Sequence, residues 1–286
     1  MDAAGADRQA AVSPQERSSH TAFIDNNTLY VWGGYRVRNV MLPSDEIWLC
    51  DLYSGTWERK EISGSEIPQD LSGFCGAHVN STFYVFAGCD GVGYTNQMYS
   101  VDLSESTLSW KKMTDNKGTT PSPRNKHSCW VHGDRLIFFG GYGCKTIGEV
   151  RNTSSSSFVV EEMSWVTTCW GWNNEVNVFD THTASWSLPE TQGLAPAPRG
   201  CHASALLGNK GYISGGVVSF QNDIPMSCSP MGRSMHTMTA IADHSLLVYG
   251  GLGTDGSTLS DLGNTVIDNN SNKLKHLPFK SNSFNL

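Results

Sequence analysis

Short apolar runs that end in paired glycines recur along this 286-residue chain, and an Arg-x-x-His motif or its remnant precedes each run. The first unit contains every part of the pattern, in the order Arg17-Ser-Ser-His20, Leu29–Trp32, Gly33-Gly34, Ile47–Leu52 and Trp57. Later copies of the glycine pair end at Gly88 (as Ala87-Gly88), Gly141, Gly216 and Gly251. Self-similarity at such a period indicates that one supersecondary unit is copied along the chain.

Each complete unit contains runs of about four to six residues with the composition of β-strands, rich in Val, Ile, Tyr, Phe and Trp and interrupted by Gly, Pro and Asn. The first strand follows the histidine, as in His20–Ile24. The second strands enter the glycines at Leu29–Trp32, Phe83–Phe86, Leu136–Phe139, Gly211–Ser214 and Leu246–Tyr249. The third strands are Ile47–Leu52, Met98–Leu103 and Val176–Asp180, and the fourth open with Trp57, Trp110 and Trp186. Four strands in about 50 residues predict an all-β propeller with one blade per unit.

The repeated residues have structural roles in such a blade. Paired glycines allow the second strand to turn where a side chain would collide near the central channel. The tryptophan covers the seam between adjacent blades. Arginine and histidine can tie strand ends to neighbouring carbonyls, a structural role expected of His20, His127, His202 and His236. One histidine per blade holds these rings apart, so we predict neither a metal site nor a catalytic one.

The spacing between motifs places five repeats near residues 16–68, 69–121, 122–196, 197–230 and 231–279. Residues 1–15 are predicted to be a disordered N-terminus and residues 280–286 a tail. In the third repeat, Lys145–Trp170 is predicted to be a long loop that includes the tract Ser154–Ser157. Long loops on a propeller face often carry function, and disorder of this loop is an equally open interpretation.

The fourth and fifth repeats depart from the pattern. The fourth is about 20 residues short, enough for its third and fourth strands, and Gln221–Pro230 has little strand character. In the fifth, Asn264–Asp268 is a candidate third strand and Leu274 occupies the tryptophan position. About five repeats, the fourth shortened and the C-terminal part missing, predict an incomplete propeller with exposed strand edges.

Charge and cysteine content exclude some functions. The formal net charge is −7 with no block of Lys or Arg, whereas nucleic-acid binding needs a basic stripe. The eight cysteines form no C-x-x-C pair, which favours buried free thiols over a zinc site or a disulfide framework. The polar N-terminus has no signal-peptide core, and no apolar run is long enough to span a membrane. A cytoplasmic or nuclear protein without a cofactor is the expectation.

The motifs resemble those of Kelch-repeat proteins, and in particular the family of Kelch domain-containing proteins 1 and 2. The segments that carry this resemblance are Leu29–Tyr35, Leu42–Trp48, Leu136–Gly143, Gly171–Asn173 and Leu207–Gly211. The resemblance implies a six-bladed propeller that acts as the substrate receptor of a cullin-2 RING ubiquitin ligase. Its top face would bind a substrate's C-terminal tail, often ending in glycine, and elongin B/C and cullin-2 would be further partners.

The resemblance also implies a set of tail-binding residues. Lys126, Tyr142, Trp172 and Ser234 occupy positions that match the family's pocket. A lysine suits a carboxylate, hydroxyls supply hydrogen bonds, and a tryptophan wall admits only small residues.

The chain differs from the family at other pocket positions. Val217 follows Gly216 where the family has an arginine, Val218–Asn222 contains no second arginine, and Met235 replaces a tryptophan. The helical box that recruits elongin and cullin is absent from this sequence.

Three hypotheses follow. The first is a non-enzymatic interaction module resembling a ligase substrate receptor that binds C-terminal degrons. The second is a truncated variant or decoy that lacks ligase recruitment and has impaired degron binding. The third is a propeller enzyme such as a sialidase or copper oxidase, for which the sequence provides no convergent catalytic set. We therefore predict that the protein is not an enzyme.

Overall fold

The computed structural model describes residues 13–37, 40–152, 157–164, 167–218, 232–241, 245–268 and 273–278. The described chain forms successive antiparallel sheets, one for each repeat. The first strand of each sheet packs beside the first strand of the next, so these strands surround a common axis. This arrangement is that of blades in a β-propeller, as predicted.

The first three blades each contain a complete four-stranded sheet. Blade 1 contains β1 Thr21–Asp25, β2 Thr28–Trp32, β3 Tyr35–Arg36, β4 Val40–Met41, β5 Glu46–Asp51 and β6 Trp57–Ser63, with sheet order β1-β2-β5-β6. Blade 2 contains β7 Cys75–Val79, β8 Thr82–Cys89, β9 Tyr94–Asp102 and β10 Leu108–Lys112 in sequence order. Two parallel residue pairs between β6 and β10 join the outer edges of these two blades.

Blade 3 contains the largest insertion. Its elements are β11 Arg124–Asn125, β12 Ser128–His132, β13 Arg135–Phe139, β14 Tyr142–Thr146, α1 Ile147–Asn152, β15 Phe158–Met163, β16 Thr168–Asn173, β17 Val176–Asp180 and β18 Ser185–Ser187. The blade sheet has the order β12-β13-β17-β18, and the insertion forms a second sheet of order β11-β14-β16-β15. The prediction of a long loop at Lys145–Trp170 is therefore wrong, because most of that segment lies in β14, α1, β15 and β16. Residues 153–156 of the serine tract lie outside the described residues.

Blades 4 and 5 complete the described chain. Blade 4 contains β19 Arg199–Gly200, β20 Ala203–Leu207, β21 Lys210–Ser214 and β22 Val217–Val218. Blade 5 contains β23 Arg233–Ser234, β24 Thr237–Ile241, β25 Ser245–Tyr249, β26 Leu252–Gly253, β27 Leu262–Asp268 and β28 Lys273–Pro278. The predicted third strand of the fifth repeat is confirmed as β27, and Leu274 lies in its partner β28. The predicted loss of strands at Gln221–Pro230 falls outside the described residues.

The paired glycines turn the chain where no side chain fits, as predicted. Gly34 and Gly141 have positive φ angles of 89° and 104°. A methyl group on Gly34 would lie 2.5 Å from the carbonyl oxygen of Ser18, and one on Gly141 would lie 2.7 Å from that of Asn125. The second glycine therefore lets the chain after the turn pair closely with the segment before the blade's first strand. Tyr35 pairs with Ser18 in this way, and Tyr142 pairs with Asn125.

The arginines of the Arg-x-x-His motifs bind carbonyls, as predicted. In each case Nη1 donates to the first glycine of the pair in the same repeat. The bonds are Arg17 to Gly33 at 3.2 Å, Arg124 to Gly140 at 3.3 Å, Arg199 to Gly215 at 2.9 Å and Arg233 to Gly250 at 3.1 Å. Each arginine thus connects the residue before the blade's first hairpin to the glycine that ends this hairpin.

The histidines have more varied surroundings than predicted. His20 contacts the Arg17 carbonyl, whereas His202 Nε2 lies 2.7 Å from the Ser128 hydroxyl. The ring nitrogens of His127 and His236 have no hydrogen-bond partner among the described residues, so the predicted tie to a carbonyl is wrong for these two. Burial, together with the charges of nearby arginine and histidine side chains, lowers the pKa of His127 and of His202 to about 3. These rings are neutral aromatic fillers between blades.

The predicted role of tryptophan at the seams is confirmed. Trp110 of blade 2 packs edge-on against Trp32 of blade 1 with ring centroids 5.1 Å apart, and its Nε1 donates to the Ser44 carbonyl at 2.9 Å. Trp186 of blade 3 packs against Phe86 of blade 2 at 4.8 Å. Each ring therefore closes the seam toward the preceding blade.

Candidate functional site

A ring of backbone hydrogen bonds links the blades around the axis. The residue before each histidine, or before its counterpart Phe74, has a positive φ: Ser19 (56°), Gly73 (62°), Lys126 (59°), Cys201 (54°) and Met235 (55°). The amide of Lys126 donates to Gly73 O at 2.8 Å, that of Cys201 to Lys126 O at 3.0 Å, and that of Met235 to Cys201 O at 2.9 Å. We call these five positions the axial ring, of which the last four are joined by these three bonds. Because their backbone is fixed by the neighbouring blades, the side chains of Lys126, Cys201 and Met235 begin from fixed positions near the axis on one propeller face.

Lys126 is the cation of the axial ring. Its side chain is exposed, although the residues on both sides of it are buried. Burial raises the pKa of the Cys89 and Cys201 thiols, and the positive charge of Lys126 opposes that rise. The ammonium therefore acts on both thiols and remains accessible from the face.

Tyr142 and Trp172 form an aromatic wall beside the axial ring. They are directly opposite each other on β14 and β16, with ring centroids 4.8 Å apart in an edge-to-face arrangement. Tyr94 of blade 2 extends this wall, with its ring 5.9 Å from that of Tyr142. Burial raises the pKa of Tyr142 to about 12, and the carboxylates of Glu161 and Glu162 add to the rise. The phenol is therefore protonated at neutral pH and can donate a hydrogen bond.

Gly200 connects this wall to Lys126. A methyl group on Gly200 would lie 2.7 Å from the Trp172 ring and 3.2 Å from the Lys126 carbonyl oxygen. The Trp172 ring therefore packs directly on blade 4 next to the axial ring, and it is 6 % exposed. Of the four predicted site residues, Tyr142 and Trp172 are thus in contact, and the backbone of Lys126 lies against the same glycine as the Trp172 ring.

A buried ionic network connects the strands that carry the aromatic wall. Arg124, 1 % exposed, donates to Glu175 Oε2 at 2.6 Å and to Asn173 Oδ1 at 2.9 Å, and Lys145 pairs with the other oxygen of Glu175. Burial opposes ionisation of Glu175, but the two cations hold its pKa below the ordinary value. This network joins three strands. β11 directly precedes Lys126, β14 contains Tyr142, and β16 contains Trp172.

Ser234 lies in blade 5, two blades beyond Lys126, Tyr142 and Trp172. It is half-buried at the end of β23, and its neighbour Met235 bonds Cys201 in the axial ring. Ser234 therefore shares the face with Lys126 and is separated from it by the Cys201 position of the ring.

Two positions at which the resemblance predicts other residues also lie on this face. Val217, where the resemblance predicts an arginine, pairs with Gly200 in β22. Met235, where the resemblance predicts a tryptophan, is 62 % exposed. Among the predicted site residues, Lys126 is the only one whose side chain carries a positive charge.

Two wall residues were missed by the sequence analysis. Tyr94 lies in the blade 2 hairpin, and Glu161 accepts a hydrogen bond from Trp172 Nε1 at 3.1 Å. Neither belongs to a repeated motif, so the pattern along the chain contains no signal for them.

The described residues contain no group of three His, Cys, Asp or Glu side chains placed to hold a metal ion. A search of the same residues for a helix long and apolar enough to cross a membrane found none.

Comparison with known proteins identifies the repeat family. The sequence matches the KLHDC2/KLHL20/DRC7 Kelch-repeats domain over residues 8–171. The chain belongs to this Kelch-repeat family. It is 44 % identical to human Kelch domain-containing protein 1 over 298 residues, which cover 96 % of this chain and 72 % of that protein. The mouse counterpart is 42 % identical with the same coverage, and human Kelch domain-containing protein 2 is 36 % identical over 90 % of this chain and 68 % of its own length.

Membership of this family defines a general role for the fold. The two human Kelch relatives match 96 % and 90 % of this chain. The Kelch-repeat chain is therefore a protein-interaction module, in which loops and strand ends on a propeller face present side chains to a partner.

Proposed function

We propose that this Kelch-repeat chain binds the C-terminal tail of a partner protein at the face formed by Lys126, Tyr142, Trp172 and Ser234. The observation that carries the proposal is the exposed ammonium of Lys126, fixed by its backbone beside an aromatic wall. A chain terminus offers a carboxylate for this ammonium, and a small last residue such as glycine fits beside Trp172. The Tyr142 and Ser234 hydroxyls are donors for the remaining carboxylate or backbone oxygens.

By family resemblance, the bound tail is a degron and the chain is a substrate-recognition subunit of a cullin-2 RING ubiquitin ligase. Elongin B/C and cullin-2 are the partners on the ligase side, and the protein performs no catalytic step itself. Its cytoplasmic or nuclear location stays a prediction.

A peptide comparison tests the tail site. Peptides that end in Gly-Gly with a free carboxylate, and the same peptides amidated, are titrated against the purified chain. We expect at least tenfold tighter binding of the free acid, since a charge-assisted hydrogen bond contributes about 1.5–3 kcal/mol. Equal binding of the two forms would contradict the proposal.

Two lysine variants locate the binding. Lys126→Ala removes the ammonium but leaves the ring's backbone bonds in place, so the preference for the free acid should disappear. Lys111→Ala, at an exposed site in β10, is the matched control and should leave that preference unchanged.

A second candidate function is a decoy that binds partners without delivering ubiquitin. The observation that favours it is Val217, which pairs with Gly200 on this face and, by the resemblance, occupies the position of a carboxylate-binding arginine, so this decoy would bind degrons more weakly than the receptors of the family. A pull-down with elongin B/C and cullin-2 separates the two candidates. Tail binding with co-purification of elongin B/C favours the ligase receptor, and tail binding without it favours the decoy.

A further inference from the structure

The aromatic wall has opposite charges on its two sides. Lys126 lies on the axial side, and the exposed carboxylates of Glu161 and Glu162 lie on the outer side, in β15. β15 pairs with β16 along one edge, and no described strand pairs with its other edge. A tail whose terminus reaches Lys126 therefore has an open acidic edge beside it.

The acidic edge, formed by Glu161 and Glu162, is in direct contact with the aromatic wall. The backbone bulges between Val160 and Glu162, and the bulged residue Glu161 accepts the Trp172 Nε1 hydrogen bond at 3.1 Å. Both carboxylates also help to raise the pKa of the Tyr142 phenol. Contacts thus run continuously from Lys126 through Gly200 and Trp172 to Glu161.

No described cation neutralises this edge. The nearby Lys145 is buried and paired with Glu175, and Glu161 and Glu162 take part in no ion pair among the described residues. The edge would therefore repel a terminal carboxylate and attract a cation.

We propose that the acidic edge of Glu161 and Glu162 selects tails with a lysine or arginine upstream of the terminal residues. This inference rests on the proposed tail-binding function and names its substrate class. It also fixes the direction of the bound tail, with the carboxylate at Lys126 and the upstream segment passing outward over β15. At about 3.3 Å per extended residue, a basic residue three to six positions before the end lies about 10–20 Å from the terminus.

Paired peptides test the selection. The peptides have neutral bodies and end in Gly-Gly, and each carries either lysine or the uncharged norleucine at one position, scanned about three to six residues from the end. We expect the best lysine peptide to bind about two- to fivefold more tightly than its norleucine partner, as befits an exposed ion pair. The difference should shrink as salt is raised.

Charge-neutral variants assign the effect to the edge. Glu162→Gln, and the double variant with Glu161→Gln, should abolish the lysine preference, while glutamine retains an acceptor for Trp172 Nε1. Glu58→Gln, an exposed glutamate on β6, removes the same charge from blade 1 and should change nothing. A lysine preference that survives in the double variant overturns the inference.

The outcomes separate this inference from the proposed function. Equal affinity of lysine and norleucine peptides, with a retained preference for the free carboxylate, overturns only the selection by the acidic edge. Equal affinity of free and amidated peptides overturns the proposed function, and the direction of the bound tail with it.

Discussion

The seam between blades 2 and 3 and the seam between blades 4 and 5 are built differently. The first encloses ten buried residues, including Phe86, Phe138 and Trp186. Among the residues whose side chains the structure describes, the second contains Ala205 and Leu246, with the partly buried Tyr212 and Met238 packed against them. Blades 3 and 5 share the arginine that binds the first glycine of the pair. The same motif therefore accompanies different side chains at the described seams, aromatic rings in the first and mainly aliphatic residues in the second.

The largest expected effect is a loss of stability at the seam between blades 2 and 3. Trp186→Ala should lower the free energy of unfolding by about 4 kcal/mol, because it removes a buried ring that packs on Phe86, Phe138 and Phe179. Leu246→Ala should cost about 2–3 kcal/mol, since Leu246 is buried but its side chain is smaller than an indole ring. Urea unfolding followed by tryptophan fluorescence and circular dichroism measures both. A larger cost for Leu246→Ala than for Trp186→Ala would contradict this ranking.

The next effect compares equivalent arginines. Arg124→Gln should cost about 3 kcal/mol, because it leaves the buried Glu175 with Lys145 as its remaining cation. Arg199→Gln should cost about 1 kcal/mol, since Arg199 has backbone carbonyls, those of Ala197 and Gly215, as its acceptors among the described residues. Chemical denaturation of the two variants gives the difference. A larger loss in Arg199→Gln would contradict the role assigned to the ionic network.

Glycine substitutions show where the two regions are alike. Gly141→Ala and Gly216→Ala should each cost about 2–3 kcal/mol, since both have positive φ and a methyl group would meet a backbone oxygen at 2.7 Å and 2.6 Å. Gly193→Ala is the matched control, with a positive φ but no atom near the added methyl group, and should cost about 1 kcal/mol. If Gly216→Ala behaved like the control, the close approach of the backbones would not extend into blade 4.

The smallest effect is a loss of stability in acid. The pKa of His127 and of His202 is about 3 when folded, below the ordinary value of 6.5, so the unfolded chain binds more protons as pH falls. The stability from each neutral ring is fully present above pH 6.5 and declines as pH falls toward 3. Between pH 7 and 4.5 we expect a loss of up to about 2 kcal/mol for each histidine. Unfolding at the two pH values should show a smaller loss in His127→Gln, and an unchanged loss would contradict this account.

The repeat pattern predicts the blades because each motif acts within its own repeat. Arg124 and Gly140, or Gly34 and Ser18, are about one hairpin apart, so their spacing is visible along the chain. The insertion of blade 3 does not follow the period. Its strand β15 contains Glu161 and Glu162 and follows a serine tract, which favoured a loop.

The site was predicted only in part for the same reason. The resemblance supplied Lys126, Tyr142, Trp172 and Ser234, of which Tyr142 and Trp172 are in contact and the backbone of Lys126 lies near the Trp172 ring, on Gly200. The pairing of Arg124 with Glu175 joins residues 51 positions apart, and the contact of Tyr94 with Tyr142 crosses from one blade to the next. No local pattern encodes such contacts, because they arise only when the blades are assembled.

In the axial ring, the backbone connects the blades and the side chains are free to differ. Its hydrogen bonds use main-chain atoms alone, so the ring holds a glycine, a lysine, a cysteine or a methionine with the same geometry. An exchange of one ring side chain alters what the centre of the face recognises and leaves the bonds between blades intact. Partner preference in such a propeller can therefore diverge by single substitutions at the axis, without a matching change elsewhere in the fold.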